Sequence, residues 1–164
     1  MEGFTTKKQQ FATVWKMHTA GDAQWYPAQV PGTVYTDLLR NGQMEDPFWK
    51  DNEYRALDLM EKDYEYETVF EGTEAQEGER QWLRFEGLDT ICDIYLNEEK
   101  IGNTYNMHRT WEFDVTGKVK AGENILRVYF HSPLEYIKEA YEKQPTHGLS
   151  LIHISEPTRL DVIS

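Results

Sequence analysis

Two short stretches of the sequence, both predicted to be loops, place tryptophan beside side chains that can hydrogen-bond neutral hydroxyl groups. "DPFWKDNEYRA" carries Trp49, Asp51 and Asn52, and "NMHRTW" carries Arg109 and Trp111. The apolar faces of sugar rings can stack on indole rings, while carboxylate, amide and guanidinium groups bind the sugar hydroxyls. These five residues are therefore candidates for a carbohydrate-binding site. The alternative is that both tryptophans anchor the hydrophobic core, because large aromatic side chains are mostly buried.

The sequence gives no local support for catalysis or for a metal centre. The five histidines are His18, His108, His131, His147 and His153, and none has the spacing of a metal-ligand pair. Cys92 has no thiol partner, and motifs for nucleophile-elbow hydrolysis, phosphate loops and zinc proteolysis do not occur. The 29 acidic residues could contain a general acid and base, but carboxylates are mostly solvated at the surface. We therefore predict no catalytic residue, no metal site and no cofactor.

The charge of the chain restricts its partners. The formal net charge is −12, so phosphate backbones and anionic membrane surfaces would be repelled and neutral ligands are favoured. The sequence begins without the apolar run of a signal peptide and contains no stretch of about 20 apolar residues. With one cysteine and no visible targeting segment, the sequence leaves the cellular compartment open.

Alternation with a period of two predicts strands over most of the chain, separated by turn residues every eight to twelve positions. The positions predicted to share a buried strand face are Tyr64, Tyr66, Thr68 and Phe70, then Cys92, Ile94 and Leu96, and then Leu126, Val128 and Phe130. Between the last two sets, "LNEEKIG" predicts a hairpin in which Asn97 adopts positive φ. The pattern indicates an all-β sandwich.

One or two short helices are expected beside the strands. "TVYTDLLRNGQ" has Thr33 as N-cap and Asn41-Gly42 as its end. "SPLEYIKEAYEKQPTHG" has Ser132 as N-cap and Pro133 at the first helical position.

Four segments carry a resemblance to a known family: "VPGTVYTDLL", "DPFWKDNE", "LRFEGLDTICDIYLN" and "NMHRTWEFDV". In sequence and order they resemble the N-terminal domain of β-mannosidases of glycoside hydrolase family 2, over residues 15–148. The resemblance implies a jelly-roll β-sandwich of the galactose-binding-like type, in agreement with the strand pattern. Family members also carry a Trp-Asp-Trp-Gly-Pro motif and a later strand that this sequence lacks, so we expect the sandwich to miss its last strand.

The resemblance also implies what the chain does. The retaining machinery of the family, two glutamates, lies on a TIM barrel downstream of this domain, and neither glutamate matches a residue here. The chain is therefore expected to be an accessory domain that is inactive by itself. Its implied partners are the barrel domain and, through the full enzyme, β-mannoside oligosaccharides. Two alternatives stay open, namely an autonomous carbohydrate-binding module and a purely structural sandwich.

The last sixteen residues differ from the rest of the chain. The segment "LSLIHISEPTR" has no counterpart in the family and back-translates into a widely used transposase sequencing adapter. We interpret residues 1–148 as an incomplete native domain and residues 149–164 as a translated, non-native tail. A natural amphipathic tail is the alternative. We expect residues 149–164 to pack against nothing in particular.

Overall fold

The computed structural model describes residues 6–8, 10, 13–143 and 159–163. The strands of this described part are β1 Trp15–Thr19, β2 Tyr26–Ala28, β3 Gly32–Thr33, β4 Tyr64–Gly72, β5 Trp82–Gly87, β6 Cys92–Leu96, β7 Glu99–Thr104, β8 Trp111–Asp114, β9 Gly122–Phe130 and β10 Arg159–Ile163. The helices are α1 Val34–Arg40, α2 Asn52–Met60 and α3 Pro133–Lys143. Among the described residues, no helix has the length and apolar character that a membrane crossing needs.

The strands form two antiparallel sheets that share one hydrophobic core. The larger sheet has six strands in the order β2-β1-β4-β9-β6-β7, and the smaller has four in the order β3-β10-β5-β8. Both sheets contribute to a single cluster of buried side chains. The predicted all-β sandwich with short helices is therefore confirmed.

A row of fully buried side chains runs across the larger sheet. Met17 pairs with Tyr66, Tyr66 with Val128, and Val128 with Ile94, so that the four residues cross four neighbouring strands in register. All four are completely inaccessible to solvent. Burial of each such side chain contributes about 1.5–3 kcal/mol. The strand face predicted for β4, β6 and β9 is confirmed, because every residue named for it is buried.

Asp37 of α1 is fully buried although it carries a carboxylate. Its Oδ2 accepts a hydrogen bond of 3.1 Å from the Tyr66 hydroxyl, and its Oδ1 accepts from the Gln29 N–H and from Arg40 Nη1, each at 3.1 Å. Burial raises the pKa of Asp37, and the three hydrogen bonds offset only part of that effect. The carboxylate thus joins α1 to β4 and to the segment between β2 and β3.

Two asparagines join the predicted hairpin to the loop before β9. Asn97 has a φ of 49°, as predicted, and its Nδ2 donates to Asn124 Oδ1 at 2.8 Å while its Oδ1 accepts from the Ile125 N–H at 3.0 Å. Asn124 is fully buried and donates to the carbonyls of Lys120 and Gly122 at 2.8 and 2.9 Å. Every polar group of this buried amide is therefore satisfied.

Both predicted helices are confirmed at their N-termini. The Thr33 Oγ1 accepts from the Thr36 N–H at 3.1 Å, and Gly42 follows α1 with a φ of 68°. The Ser132 Oγ accepts from the Glu135 N–H at 3.5 Å at the start of α3. These side chains satisfy N–H groups that the first helical turn leaves without an intrahelical partner.

The helix α2 differs from the prediction, which places this stretch in a loop. Ala56 and Met60, four residues apart, are buried on one side of the helix. Only these two of its nine residues are buried, so the apolar stripe is too narrow to indicate a helix from the sequence.

The prediction that residues 149–164 pack against nothing is wrong for Arg159–Ile163. Their backbone forms β10, which pairs with both β3 and β5, in the position where a strand was expected to be missing. The physical reason is that a gap between two strands offers N–H and C=O groups to any extended segment, whatever its sequence. Residues 144–158, with His147 and His153, lie outside the described part of the chain.

Replacing Asp37 by asparagine should change the pH dependence of stability. Because the pKa of Asp37 is raised on folding above its usual 3.8, the folded state binds this proton more tightly than the unfolded state. The stabilisation of the folded state that comes from this tighter proton binding is fully present below pH 3.8 and is lost as the pH rises through the folded-state pKa. The free energy of unfolding of the unaltered chain minus that of Asp37→Asn should therefore fall as the pH rises above 4. Urea unfolding of both proteins at a series of pH values measures it, and a difference that is flat or rises would contradict the assignment.

Candidate functional site

The first group of candidate residues lies in the turn between α1 and α2, which Asp46 organises. The Asp46 carbonyl accepts hydrogen bonds from the Trp49 N–H at 3.1 Å and from Asn52 Nδ2 at 3.0 Å. Its carboxylate Oδ1 accepts from the Phe48 N–H at 3.0 Å. This is an Asx-turn, in which a short acidic side chain closes the backbone locally. We call residues 46–52 the aromatic turn.

Side chains of the aromatic turn point into solvent. Phe48 is 97% exposed and Trp49 is 64% exposed, so the alternative that Trp49 anchors the core is wrong. Lys50 lies 6.0 Å above the Trp49 ring, and Asp51 precedes α2 without a side-chain capping bond. The turn therefore presents one large aromatic face with the Asp51 carboxylate two residues away.

An open cleft of about 310 Å³ adjoins the aromatic turn, at the small end of the range for ligand pockets. It is lined by Asn52 together with Glu45, Arg55 and Asp58, and Arg55 Nη1 lies 3.2 Å from Glu45 Oε2. The sequence analysis missed the last three residues because it placed this stretch in a loop. Positions 52, 55 and 58 follow a helical spacing of three, which would have grouped them on one face.

The second group lies in the segment between β7 and β8 and at the start of β8. The Arg109 guanidinium lies 4.7 Å above the Trp111 ring, and the indole N–H donates to the Asn106 carbonyl at 3.1 Å. Tyr105 meets the same ring edge-on at 5.1 Å and is 62% exposed. Trp111 itself is half-buried and packs against the core, stacked on Phe113. Arginine therefore covers a face of Trp111 that a ligand would need.

The structure brings residues together within each group but does not join the two groups. In the range 13–143, no hydrogen bond, ion pair or ring contact links Trp49, Asp51 or Asn52 to Arg109 or Trp111. The first group adjoins the cleft of about 310 Å³ through Asn52. The aromatic turn and the cleft are thus the better candidate for a binding surface.

The ionisable groups with shifted pKa values do not line this surface. Burial raises the pKa of Tyr64 and of Cys92, both of which lie in the core. Asp93 is on the outer face of the larger sheet, where burial would raise its pKa, but hydrogen bonds from Lys100 at 2.7 Å and His131 at 3.2 Å outweigh that effect and lower it. These groups are structural.

Among the described residues, no three histidine, cysteine or acidic side chains are grouped so that they could hold a metal ion. The polar side chains of the cleft are two carboxylates, two amides and a guanidinium, which suit neutral ligands with several hydroxyl groups.

Comparison with known proteins gives a consistent result. A family model described as the glycosyl hydrolase 2 galactose-binding domain-like family matches residues 15–162. The β-mannosidase of Capra hircus is 35% identical over 136 residues, which cover 81% of this chain and 15% of the goat protein. The β-mannosidase B of Aspergillus terreus is 34% identical over 145 residues, covering 85% of this chain and 17% of the fungal protein. The chain spans less than a fifth of the length of these relatives.

Solved structures show the same relationship. The crystal structure of β-D-mannosidase from Dictyoglomus thermophilum matches with a TM-score of 0.76 and 35% identity, over 84% of this chain and 17% of that one. An exo-chitosanase from Amycolatopsis orientalis matches at 21% identity with a TM-score of 0.62, which indicates a shared fold.

Replacing Asp46 by alanine should loosen the aromatic turn without unfolding the domain. The substitution removes the acceptor of the Phe48 N–H, and a lost cap of this kind costs about 1 kcal/mol. Hydrogen exchange should therefore accelerate at Phe48 and Trp49 by about fivefold, while core amides are unchanged. Asp58→Ala is the matched control, because Asp58 is exposed on α2 outside the turn. Equal acceleration in both variants would show that Asp46 does not organise the turn.

Proposed function

The chain belongs to the galactose-binding-like domain family of glycosyl hydrolase 2, and we propose that it is the N-terminal accessory domain of a β-mannosidase. Such an enzyme removes terminal, non-reducing β-D-mannose residues from β-mannosides. The observation that carries the proposal is the identity of 34–35% to two β-mannosidases, together with the 15–17% of their length that is matched. Hydrolysis would then depend on parts of the parent protein that this chain does not contain.

Within this function, the aromatic turn and its cleft contact the sugar. Trp49 supplies an exposed ring face, and Asp51 and Asn52 supply an acceptor and an amide for hydroxyl groups. Arg109 and Trp111 form a second, weaker candidate surface, because the guanidinium already lies against the indole. The net charge of −12 supports neutral sugars over nucleic acid or anionic membranes as partners.

A second role for the same region is contact with the remainder of the parent enzyme. Phe48 is almost fully exposed and lies beside Trp49, and exposed aromatic residues are enriched at protein interfaces. In that role the domain would help to wall the pocket of a barrel domain. A purely structural sandwich would use this contact without any contact to sugar.

The domain boundaries follow from the same proposal. We assign residues 1–148 to the native part of the sandwich and residues 149–164 to an appended, non-native tail, although the family-model match extends to residue 162. The match between the codons of "LSLIHISEPTR" and a sequencing adapter supports this division.

The purified chain should not hydrolyse an aryl β-mannoside. A retaining glycosidase needs a nucleophile and an acid/base carboxylate about 5 Å apart, and positioning of the substrate alone provides no route for bond cleavage. Release of the aryl group should stay at background when the protein concentration is varied. A rate proportional to protein that survives repurification would contradict the proposal of an accessory role.

Trp49 should report sugar binding directly. During titration with methyl β-D-mannoside at millimolar concentrations, the indole N–H signal of Trp49 should shift in ¹⁵N-resolved NMR spectra, because the ring current and solvation of a stacked indole change. Trp49→Ala should weaken binding at least tenfold, which corresponds to about 1.4 kcal/mol.

Trp82→Ala is the matched control, since Trp82 is 53% exposed on β5 and belongs to neither candidate group. It should leave the affinity unchanged. A shift confined to Trp111 would move the site to the second group. The absence of any shift would favour the purely structural role.

A further inference from the structure

His18 is almost fully buried although it lies on the outer face of the larger sheet. It pairs with Glu65 in the ladder between β1 and β4, and Glu65 alternates along β4 with the core residues Tyr64 and Tyr66. Only 8% of His18 is exposed. A polar ring at this depth needs hydrogen-bond partners for its nitrogens, because a buried polar group without a partner is costly.

Both ring nitrogens of His18 face hydrogen-bond acceptors. Nδ1 lies 2.7 Å from the carbonyl oxygen of Asp22, and Nε2 lies 3.2 Å from Glu65 Oε2. A carbonyl or an ionised carboxylate can only accept a hydrogen bond, so each contact needs a proton on the histidine nitrogen. Neutral imidazole carries one such proton, whereas imidazolium carries two. The two contacts are therefore satisfied together only by the protonated ring.

The ring of His18 also stacks on the ring of Trp25, with centroids 3.8 Å apart and planes 21° from parallel. Trp25 directly precedes β2, which pairs with β1 at three positions and forms one edge of the larger sheet among the described strands. A positive charge is attracted by the face of an indole ring. Protonated His18 therefore adds a side-chain contact to the short ladder that holds β2.

Charged and titratable groups from four parts of the domain surround His18. They are Lys16 on β1, Asp22 in the loop after β1, Glu65 and Glu67 on β4, and Arg127 and Tyr129 on β9. Glu65 favours a positive ring, whereas burial opposes it, as does Arg127 Nη1 at 3.5 Å from the same Glu65 oxygen. Burial also raises the pKa of Tyr129. Since histidine is the side chain that ordinarily changes its charge between about pH 5 and 8, His18 is the pH-sensitive member of this group.

The strand β2 also reaches the rim of the cleft beside the aromatic turn. The carbonyl of Pro27, in the middle of β2, accepts a hydrogen bond of 2.9 Å from Asn41 Nδ2. Asn41 is the C-cap of α1, and the next residue, Gly42, lines the cleft. The position of β2 therefore bears on the rim of the cleft through one side-chain hydrogen bond.

We propose that His18 is a pH-sensitive latch for β2. The protonated ring donates to both the Asp22 carbonyl and Glu65, stacks on Trp25, and so fixes β2 and, through Asn41, the rim of the cleft. The neutral ring keeps one of the two hydrogen bonds and turns a lone pair toward the other acceptor. The latch closes at acidic pH and opens as the pH rises through the range in which histidine loses its proton. Any effect on sugar affinity rests on the proposed function, whereas the effect on β2 does not.

NMR spectra of the ¹⁵N-labelled chain between pH 5 and 8 test the latch without any sugar. The ring nitrogens of His18, the indole N–H of Trp25 and the side-chain amide of Asn41 should all titrate with one midpoint. At pH 5 both ring nitrogens should carry a proton. The protection of the β2 amides against hydrogen exchange, corrected for the intrinsic rate, should fall about fivefold between pH 5 and pH 8, because one hydrogen bond is lost.

Two histidine variants separate this latch from general effects of pH. His18→Gln has no charge to gain and keeps an amide donor for Glu65, so the Trp25 and Asn41 signals should no longer titrate. His131→Gln is the matched control, because His131 lies 3.2 Å from Asp93 on the same outer face of the sheet. It should leave the titration of Trp25 and Asn41 unchanged.

Three results would overturn the latch, namely a Trp25 signal that does not titrate in the unaltered chain, one that still titrates in His18→Gln, or one that is lost in His131→Gln. A titration of Trp25 without Asn41 would overturn the link to the cleft. If His18→Gln does not fold, the unaltered chain still decides. A His18 ring with one protonated nitrogen at pH 5, or a His18 midpoint different from that of Trp25, would then refute the proposal.

Discussion

Burial of one tyrosine hydroxyl constrains the rest of the domain. Tyr66 lies at the centre of the larger sheet, is fully inaccessible, and meets the ring of Phe130 edge-on at 5.6 Å. A hydroxyl at this depth needs a hydrogen-bond partner, because leaving it unpaired costs about 1–3 kcal/mol. Asp37 provides the partner, and its other oxygen holds the Gln29 N–H. The sheet, the helix α1 and the segment before β3 are thus fixed to one another by a single carboxylate.

The candidate surface depends on that attachment. Asp37 holds α1 against β4, and the chain leaves α1 at Gly42. It then passes through the aromatic turn into α2, whose buried residues Ala56 and Met60 fix that helix to the core. The exposed ring of Trp49 therefore rests on a turn whose two ends are both anchored. Binding residues carried by such an anchored loop can be positioned at little conformational cost.

The two sheets differ in what specifies their pairing. In the larger sheet, the match of buried side chains from Met17 to Ile94 fixes the register, since a slip by one residue would turn every side chain to the wrong face. In the smaller sheet, β10 joins β3 to β5 through paired backbone groups.

The sequence by itself determined the features that depend on near neighbours along the chain. The buried faces of β4, β6 and β9 follow from a period of two. Thr33 and Ser132 cap the first turns of the helices that follow them, and the positive φ of Asn97 belongs to its own hairpin. Only the tertiary structure decided that Trp49 is exposed, that Trp111 is half-buried and that α2 forms. The same holds for the ion pair between Glu45 and Arg55 and for the hydrogen bond that Asp37 accepts from Tyr66. The physical reason is that these outcomes depend on which distant segments meet. The hydrogen bond between Tyr66 and Asp37 joins residues 29 positions apart. The strands β3 and β5, between which β10 lies, are also far apart in the sequence, so no local pattern specifies that they share a sheet.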